Sequence, residues 1–147
     1  MCENYQFRVE YFENDGKTIK ADLFSDEAEK AVKCFISKNI NRDYKESRGK
    51  RKLVKKISST QIRKFYEEVL NLKSQFENGK SFSEILPYFK MLKAKANVAY
   101  ERDVINTNFK TFIEKNVDYV DNDENRFKIF CTFFEAIVAY AKGTIKD

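Results

Sequence analysis

Histidine is absent from this chain of 147 residues, proline occurs once and glycine four times. Without imidazole there is no His-assisted nucleophile, no histidine general base and none of the commonest metal ligand. One Pro and four Gly are too few for the many tight turns of a β-sandwich or barrel. A mostly helical chain is therefore expected. The three cysteines, Cys2, Cys34 and Cys131, are odd in number and far apart, with no CxxC pair. That pattern indicates neither a zinc site nor a disulfide framework. The expectation is two buried small hydrophobes and one terminal thiol, and free thiols suit a reducing cytoplasm. The longest apolar run, Ala136 to Ala141, is far too short to span a bilayer. The charged start, with Glu3, Arg8 and Glu10, lacks the apolar stretch of a signal peptide. No membrane partner is expected.

What is present is aromatic and charged. Fourteen Phe and eight Tyr point to a core rich in rings, and the length suits one domain over residues 1–147. Residues 1–24 read as an N-terminal extension. Tyr5, Phe7, Val9 and Tyr11 alternate with polar residues, as do Ile19, Ala21 and Leu23, around Asn14-Asp15-Gly16. Period-2 alternation about Asp-Gly predicts a short β-hairpin that must dock on the helices or a partner.

From Asp26 onward the period becomes helical. Asp26 and Glu29 form a capping pair for a first helix with Ala28, Val32, Phe35 and Ile36 on one face, ending near Asn39. Residues 40–57 lose periodicity and read as a basic loop or insert. Ser58 with Gln61, stapled by Ile57 onto Ile62, opens a second helix that closes at Asn78-Gly79. A third starts near Ser81 or Ser83, with Pro87 in its first turns or at a kink. A fourth starts near Asn106 or Thr107. Asp121-Asn122-Asp123 caps a fifth, whose last turns are apolar nearly all round and so belong at the centre of the bundle or in a subunit contact. The expected architecture is all-α, a compact bundle of about five helices joined by short connections.

The charge is concentrated. Residues 41–57 carry eight cations and two acids, a net +6 against +5 for the whole chain, so the rest nets −1. Clustered Lys and Arg attract phosphate backbones through counterion release, without sequence preference. The candidate contacts here are Arg51, Lys52, Lys55 and Lys56. The helices add Arg63 and Lys64 at the start of the second, where free N–H groups favour an anion, and Lys93, Lys95 and Arg102 on the third. A bland reading stands beside this: charge runs and wet helix faces are often only solvated.

Three strings resemble a known family. Ile57-Ser-Ser-Thr-Gln-Ile-Arg-Lys64 is similar to the T-S-x-Q-I-R-K start of the central helix in the small subunit of type III-A CRISPR effector (Csm) complexes. Leu92-Lys-Ala-Lys-Ala-Asn-Val-Ala-Tyr-Glu-Arg102 resembles its L-K-x-K-x-x-x-A-Y-x-x-x-R helix, with the Arg after Tyr-Glu rather than after a Gly pair. Phe130-Cys-Thr-Phe-Phe-Glu-Ala-Ile-Val-Ala-Tyr-Ala-Lys142 resembles the closing F-x-x-Y-x-E-A-L-V-A-Y-x-K helix. Order and spacing match along about residues 25–143, with residues 1–24 and 40–56 outside the pattern.

The resemblance implies an all-α, non-catalytic protein; the missing His and the cysteine spacing lead to no expected cofactor or metal. Copies of it would stack beside the backbone subunits and the Cas10-type large subunit of a ribonucleoprotein and line the channel for guide RNA and target RNA. Carried over by position, Arg63, Lys64, Lys93, Lys95 and Arg102 become contacts to the RNA backbone. Glu135 and Tyr140 match family positions too, and in an apolar helix they read as packing or as a buried hydrogen-bonded pair. Two other readings remain. Asp121, Asp123 and Glu124, or Glu67 and Glu68, could hold Mg²⁺ in a nuclease. However, Asp121 and Asp123 suit helix caps, and adjacent Glu67 and Glu68 point about 100° apart on a helix. A helical protein–protein adaptor that uses the apolar last helix, without direct RNA contact, is the alternative function.

Overall fold

The first helix opens where two chain geometries meet. Leu23–Glu27 form a wide π turn that runs directly into α1 (Ala28–Phe35), with no side chain capping it. Asp26 is therefore inside the helical run rather than at its cap, and the run begins four residues earlier than its Asp26/Glu29 pair suggests. The computed structural model describes residues 2–7, 10–37, 39 and 42–147. A two-stranded hairpin follows, β1 (Tyr44–Ser47) and β2 (Lys50–Leu53), and then α2 (Ser59–Glu77), α3 (Phe82–Lys90), α4 (Leu92–Glu101), α5 (Thr107–Val120) and α6 (Glu124–Thr144). α3 and α4 are one helical run interrupted at Met91, four residues after Pro87. With that run counted once, the bundle has five helical units, and the all-α expectation is borne out.

The caps are where the sequence puts them. Ser58, Ser81, Asn106 and Asp123 each accept the amide three residues on, and Ser81 with Glu84 forms a reciprocal capping box. α6 lies at the centre of the bundle against α1, α2 and α5, and α4 packs on α5. The core is built of rings. Phe112 sits 5.1 Å from Phe35, 5.7 Å from Phe134 and 6.1 Å from Phe133, all fully buried. Phe127 meets Phe82 at 5.5 Å and Phe89 at 5.2 Å in tilted and edge-on pairs.

Three sequence expectations give way. The expected N-terminal hairpin keeps its turn, with Asp15 accepting the amides of Lys17 and Thr18 and Gly16 at φ 70°. Its strands shrink to one bridge, Phe12 to Ile19. Tyr11 and Phe12 are both buried while Ile19 and Ala21 are exposed, so period-2 alternation does not set the docking. Val9 lies outside the described residues. Second, the strands lie instead at residues 44–53, inside the stretch that reads as a loop or insert. Third, Cys2 and Cys34 form a disulfide across a separation of 32 residues, which leaves Cys131 as the free, buried thiol. The chain folds back along α1, and no sequence spacing announces that return.

Candidate nucleic-acid interface

Residues of α2 and α4 line a groove of about 450 Å³. The buried Phe65 and Ala99 and the exposed Ala94 and Val98 give it an apolar lining, beside Lys64, Lys95 and Arg102. Helical spacing explains the convergence: positions 95, 98 and 102 fall on one face of α4. Lys95 Nζ sits 2.7 Å from Glu68 of α2, and both side chains are half exposed. Lys64 and Arg102 meet no carboxylate among the described residues. A second depression continues the first through Gln61 and Val104 and adds Lys56 and Lys146. One band of cations thus crosses the start of α2 and the end of α4.

The remaining candidates fall elsewhere. Lys93 lies on the other side of α4, 2.6 Å from Asp118, beside Lys90 and Asp121 at 3.4 Å. Arg63 is exposed near Asp147, whose carboxyl its charge helps to lower. Arg51 and Lys52 stand on β2, exposed. Lys55 turns inward: its ammonium donates to the Tyr100 carbonyl at 2.6 Å and to Asp103 at 2.7 Å, and lies 4.0 Å from the Tyr100 ring centroid. It is a packed, hydrogen-bonded group that ties the hairpin to the end of α4. Asp103 is placed for this by a left-handed turn (φ 61°) that closes α4.

The α2 N-terminus does not present free amides as expected. Ser58 Oγ accepts from Gln61 N at 3.2 Å, and the Asp147 carboxylate accepts from Thr60 N at 3.0 Å and from the Ser59 hydroxyl. These donors hold the Asp147 carboxyl below its ordinary range. A phosphate there would have to displace the protein's own carboxylate.

Chemically active groups are subdued elsewhere. Burial pushes the Cys131 thiol up to about 12. Glu135 is exposed rather than buried, and its partner is the Tyr66 hydroxyl at 3.4 Å, not Tyr140. Burial, reinforced by the Glu135 charge, pushes Tyr66 up to about 12. Asp123 accepts from Arg126 N as a helix cap. Among the described residues no group of three or more Cys, Asp or Glu side chains is placed to hold a metal ion. Among them, too, no helix is long and apolar enough to cross a membrane.

Sequence reasoning passed over Lys146, which reaches Lys56 only because α6 returns to the start of α2. It counted Lys45 and Lys50 in the basic cluster of residues 41–57 without singling them out as contacts. Their signal was Arg48-Gly49, the two-residue connection, with φ 53° and 77°. No curated protein and no solved structure matches the chain. Residues 37–146 match the model of the family described as Csm2 Type III-A, a span that runs through the basic hairpin and begins after α1. The chain belongs to the Csm2 Type III-A family, the small subunit of the type III-A Csm complex.

Proposed function

We propose that this small subunit is non-catalytic and contacts RNA backbone, lining the channel of guide RNA and target RNA in a cytoplasmic ribonucleoprotein. Its neighbours there are the backbone subunit, the Cas10-type large subunit and other copies of itself. The observation that carries this reading is the continuous band of Lys56, Lys64, Lys95, Arg102 and Lys146 along the α2–α4 groove. Shape-only recognition of an RNA duplex needs phosphate and 2′-hydroxyl contacts and no base-reading motif. Arg51, Lys52 and Arg63 flank the band. Lys55, packed on Tyr100 and Asp103, contributes mainly to the fold, while Lys93 and Lys95 each share a half-exposed carboxylate that an RNA phosphate would replace. A protein-only adaptor is favoured by one observation, the half-exposed Met91 and Val98 in the same groove.

Binding to an RNA duplex of scrambled sequence separates the two. Log affinity should fall linearly with log salt, and Lys64→Ala with Arg102→Ala should lower the slope by roughly two units. Unchanged affinity and slope with an intact fold favour the adaptor. Metal-dependent RNA cleavage that follows the purified chain would overturn the non-catalytic reading.

A further inference from the structure

The hairpin at residues 44–53 sorts its charges by face. The register pairs Tyr44 with Leu53, Lys45 with Lys52, Glu46 with Arg51 and Ser47 with Lys50. Directly opposed residues share a face and successive pairs alternate. One face therefore carries the half-buried Tyr44 and Leu53 with the opposite charges Glu46 and Arg51. The other carries Lys45, Lys52, Lys50 and Ser47, all exposed, and no acid. None of these three lysines meets a carboxylate among the described residues.

This arrangement works against the hairpin itself. Like charges directly opposite destabilise a strand pair, and Lys45 faces Lys52. The connecting turn needs positive φ at both central residues, for which Asn-Gly or Gly-Gly is preferred. Arg48 occupies that position at φ 53°. Each departure from the locally stable choice adds an exposed cation. Departures from local consistency of this kind gather at functional sites.

The arm is held firmly at its base. The Asp43 carbonyl accepts from Val54 N at 2.8 Å and Lys55 N at 3.0 Å. The buried Asp43 carboxylate accepts from Thr107 N at 2.9 Å and Thr107 Oγ1 at 2.7 Å, at the start of α5. Lys55 fixes the other strand to Tyr100 and Asp103. Lys56, the next residue, begins the helical band.

We propose that the outward face of this hairpin, Lys45, Lys50 and Lys52, is a second RNA-binding arm that neutralises backbone phosphates, so that bound RNA relieves the Lys45–Lys52 repulsion. The inference rests on the RNA reading above and deepens it by adding a site separate from the α2–α4 groove. Strand spacing puts Lys50 and Lys52 about 7 Å apart along one edge. A flat cationic ribbon suits the wide, shallow minor groove of an A-form duplex, where both backbones are in reach.

The test uses the full chain, a scrambled RNA duplex and a salt series. Lys52→Gln should weaken binding about tenfold at 0.1 M salt and lower the slope by roughly one unit. Lys52→Glu should weaken it further. It places an acid opposite Lys45, so amide exchange over residues 44–53 should be as slow as in the wild type or slower. RNA itself should slow that exchange in the wild type. If both variants bind as the wild type does with the hairpin intact, the arm is wrong. In that case loss of binding in Lys64→Ala with Arg102→Ala still supports the functional reading. If the wild type binds no RNA at low salt, both fail together. Polyglutamate of matched charge that binds as tightly as RNA, with the same sensitivity to Lys52→Gln, overturns the RNA assignment in favour of an acidic protein.

Discussion

In residues 37–146 helix meets helix through rings. Phe127 touches Phe76, Phe82 and Phe89, and Phe109 touches Phe65, Phe112 and Phe134. The residues before α1 also set rings on this core, Phe7 on Phe35 and Tyr11 on Tyr119, but add a set of directional bonds. Tyr11 is fully buried and donates to Asn116 at 2.9 Å, while Asn116 Nδ2 donates to the Phe7 carbonyl at 3.2 Å and the Phe112 carbonyl at 2.9 Å. Tyr119 accepts from Tyr11 N and donates to Glu10 at 2.6 Å. Tyr5 reaches Glu27, and Cys2 is bonded to Cys34. Amphipathic helices set their own register through a 3.6-residue stripe. A segment with one bridge and no strands has no such stripe, so directional bonds must fix its place. The family match runs from residue 37 to 146, so it leaves out both the N-terminal segment and the ring-packed α1.

The comparison breaks most sharply at the disulfide. Closing a loop across 32 residues is worth about 3–4 kcal/mol in the chain-entropy model. Cys2→Ser should lower the urea midpoint accordingly, and a dithiol reductant should do the same to the wild type but nothing more to the variant. Amide exchange should then open residues 10–24 before α2 or α6. Uniform opening of the whole chain would show that the two regions are one cooperative unit.

A smaller effect sharpens the polar half. Tyr11→Phe leaves the Asn116 oxygen buried without its donor, at a cost of about 1–3 kcal/mol. The same group gives a pH signature. Burial, then the neighbouring Tyr119, raises the Tyr11 hydroxyl well above its ordinary 10. A folded value raised above the unfolded one means stability is complete below pH 10 and is lost as pH climbs toward the folded value. Tyr66 at about 12 acts in the same direction, and Cys131 does so from about pH 9. Unfolding curves from pH 8 to 12 should therefore fall for both proteins, and less steeply for Tyr11→Phe. Equal slopes would remove Tyr11 from the account.

What was legible in the sequence follows the same division. Ser58, Ser81, Asn106 and Asp123 announced their helices because a cap acts over three residues. The rim of the groove was legible too, since Lys95 and Arg102 share a helix face by spacing alone. The hairpin at 44–53 was not, because its outward face alternates charge with charge and offers no apolar period. Lys55 read as a phosphate contact because its partner Asp103 lies 48 residues away, placed by the turn that ends α4. The Cys2–Cys34 bond depends on the path of a segment whose period-2 alternation does not set its docking.

The smallest effect tests whether closure at the start of α2 is local or long-range. Ser58 caps α2 from the adjacent position, while the Asp147 side chain reaches Ser59 and Thr60 from beyond α6. Ser58→Ala should cost about 1 kcal/mol, independent of pH. Asp147→Asn should cost less, because the carboxylate is fully exposed and water competes for every donor. Its sign with pH is fixed by the hydrogen bonds from Ser59 and Thr60, which lower its carboxyl from the ordinary 3.8. A depressed value means the contribution is present above about pH 4 and fades as pH falls through the folded value. Urea midpoints at pH 7 and pH 3 should show a constant loss for Ser58→Ala and a shrinking one for Asp147→Asn. If Asp147→Asn cost more than Tyr11→Phe, an exposed long-range contact would outweigh a buried one. The contrast between ring-packed helices and a bonded N-terminal segment would then lose its basis.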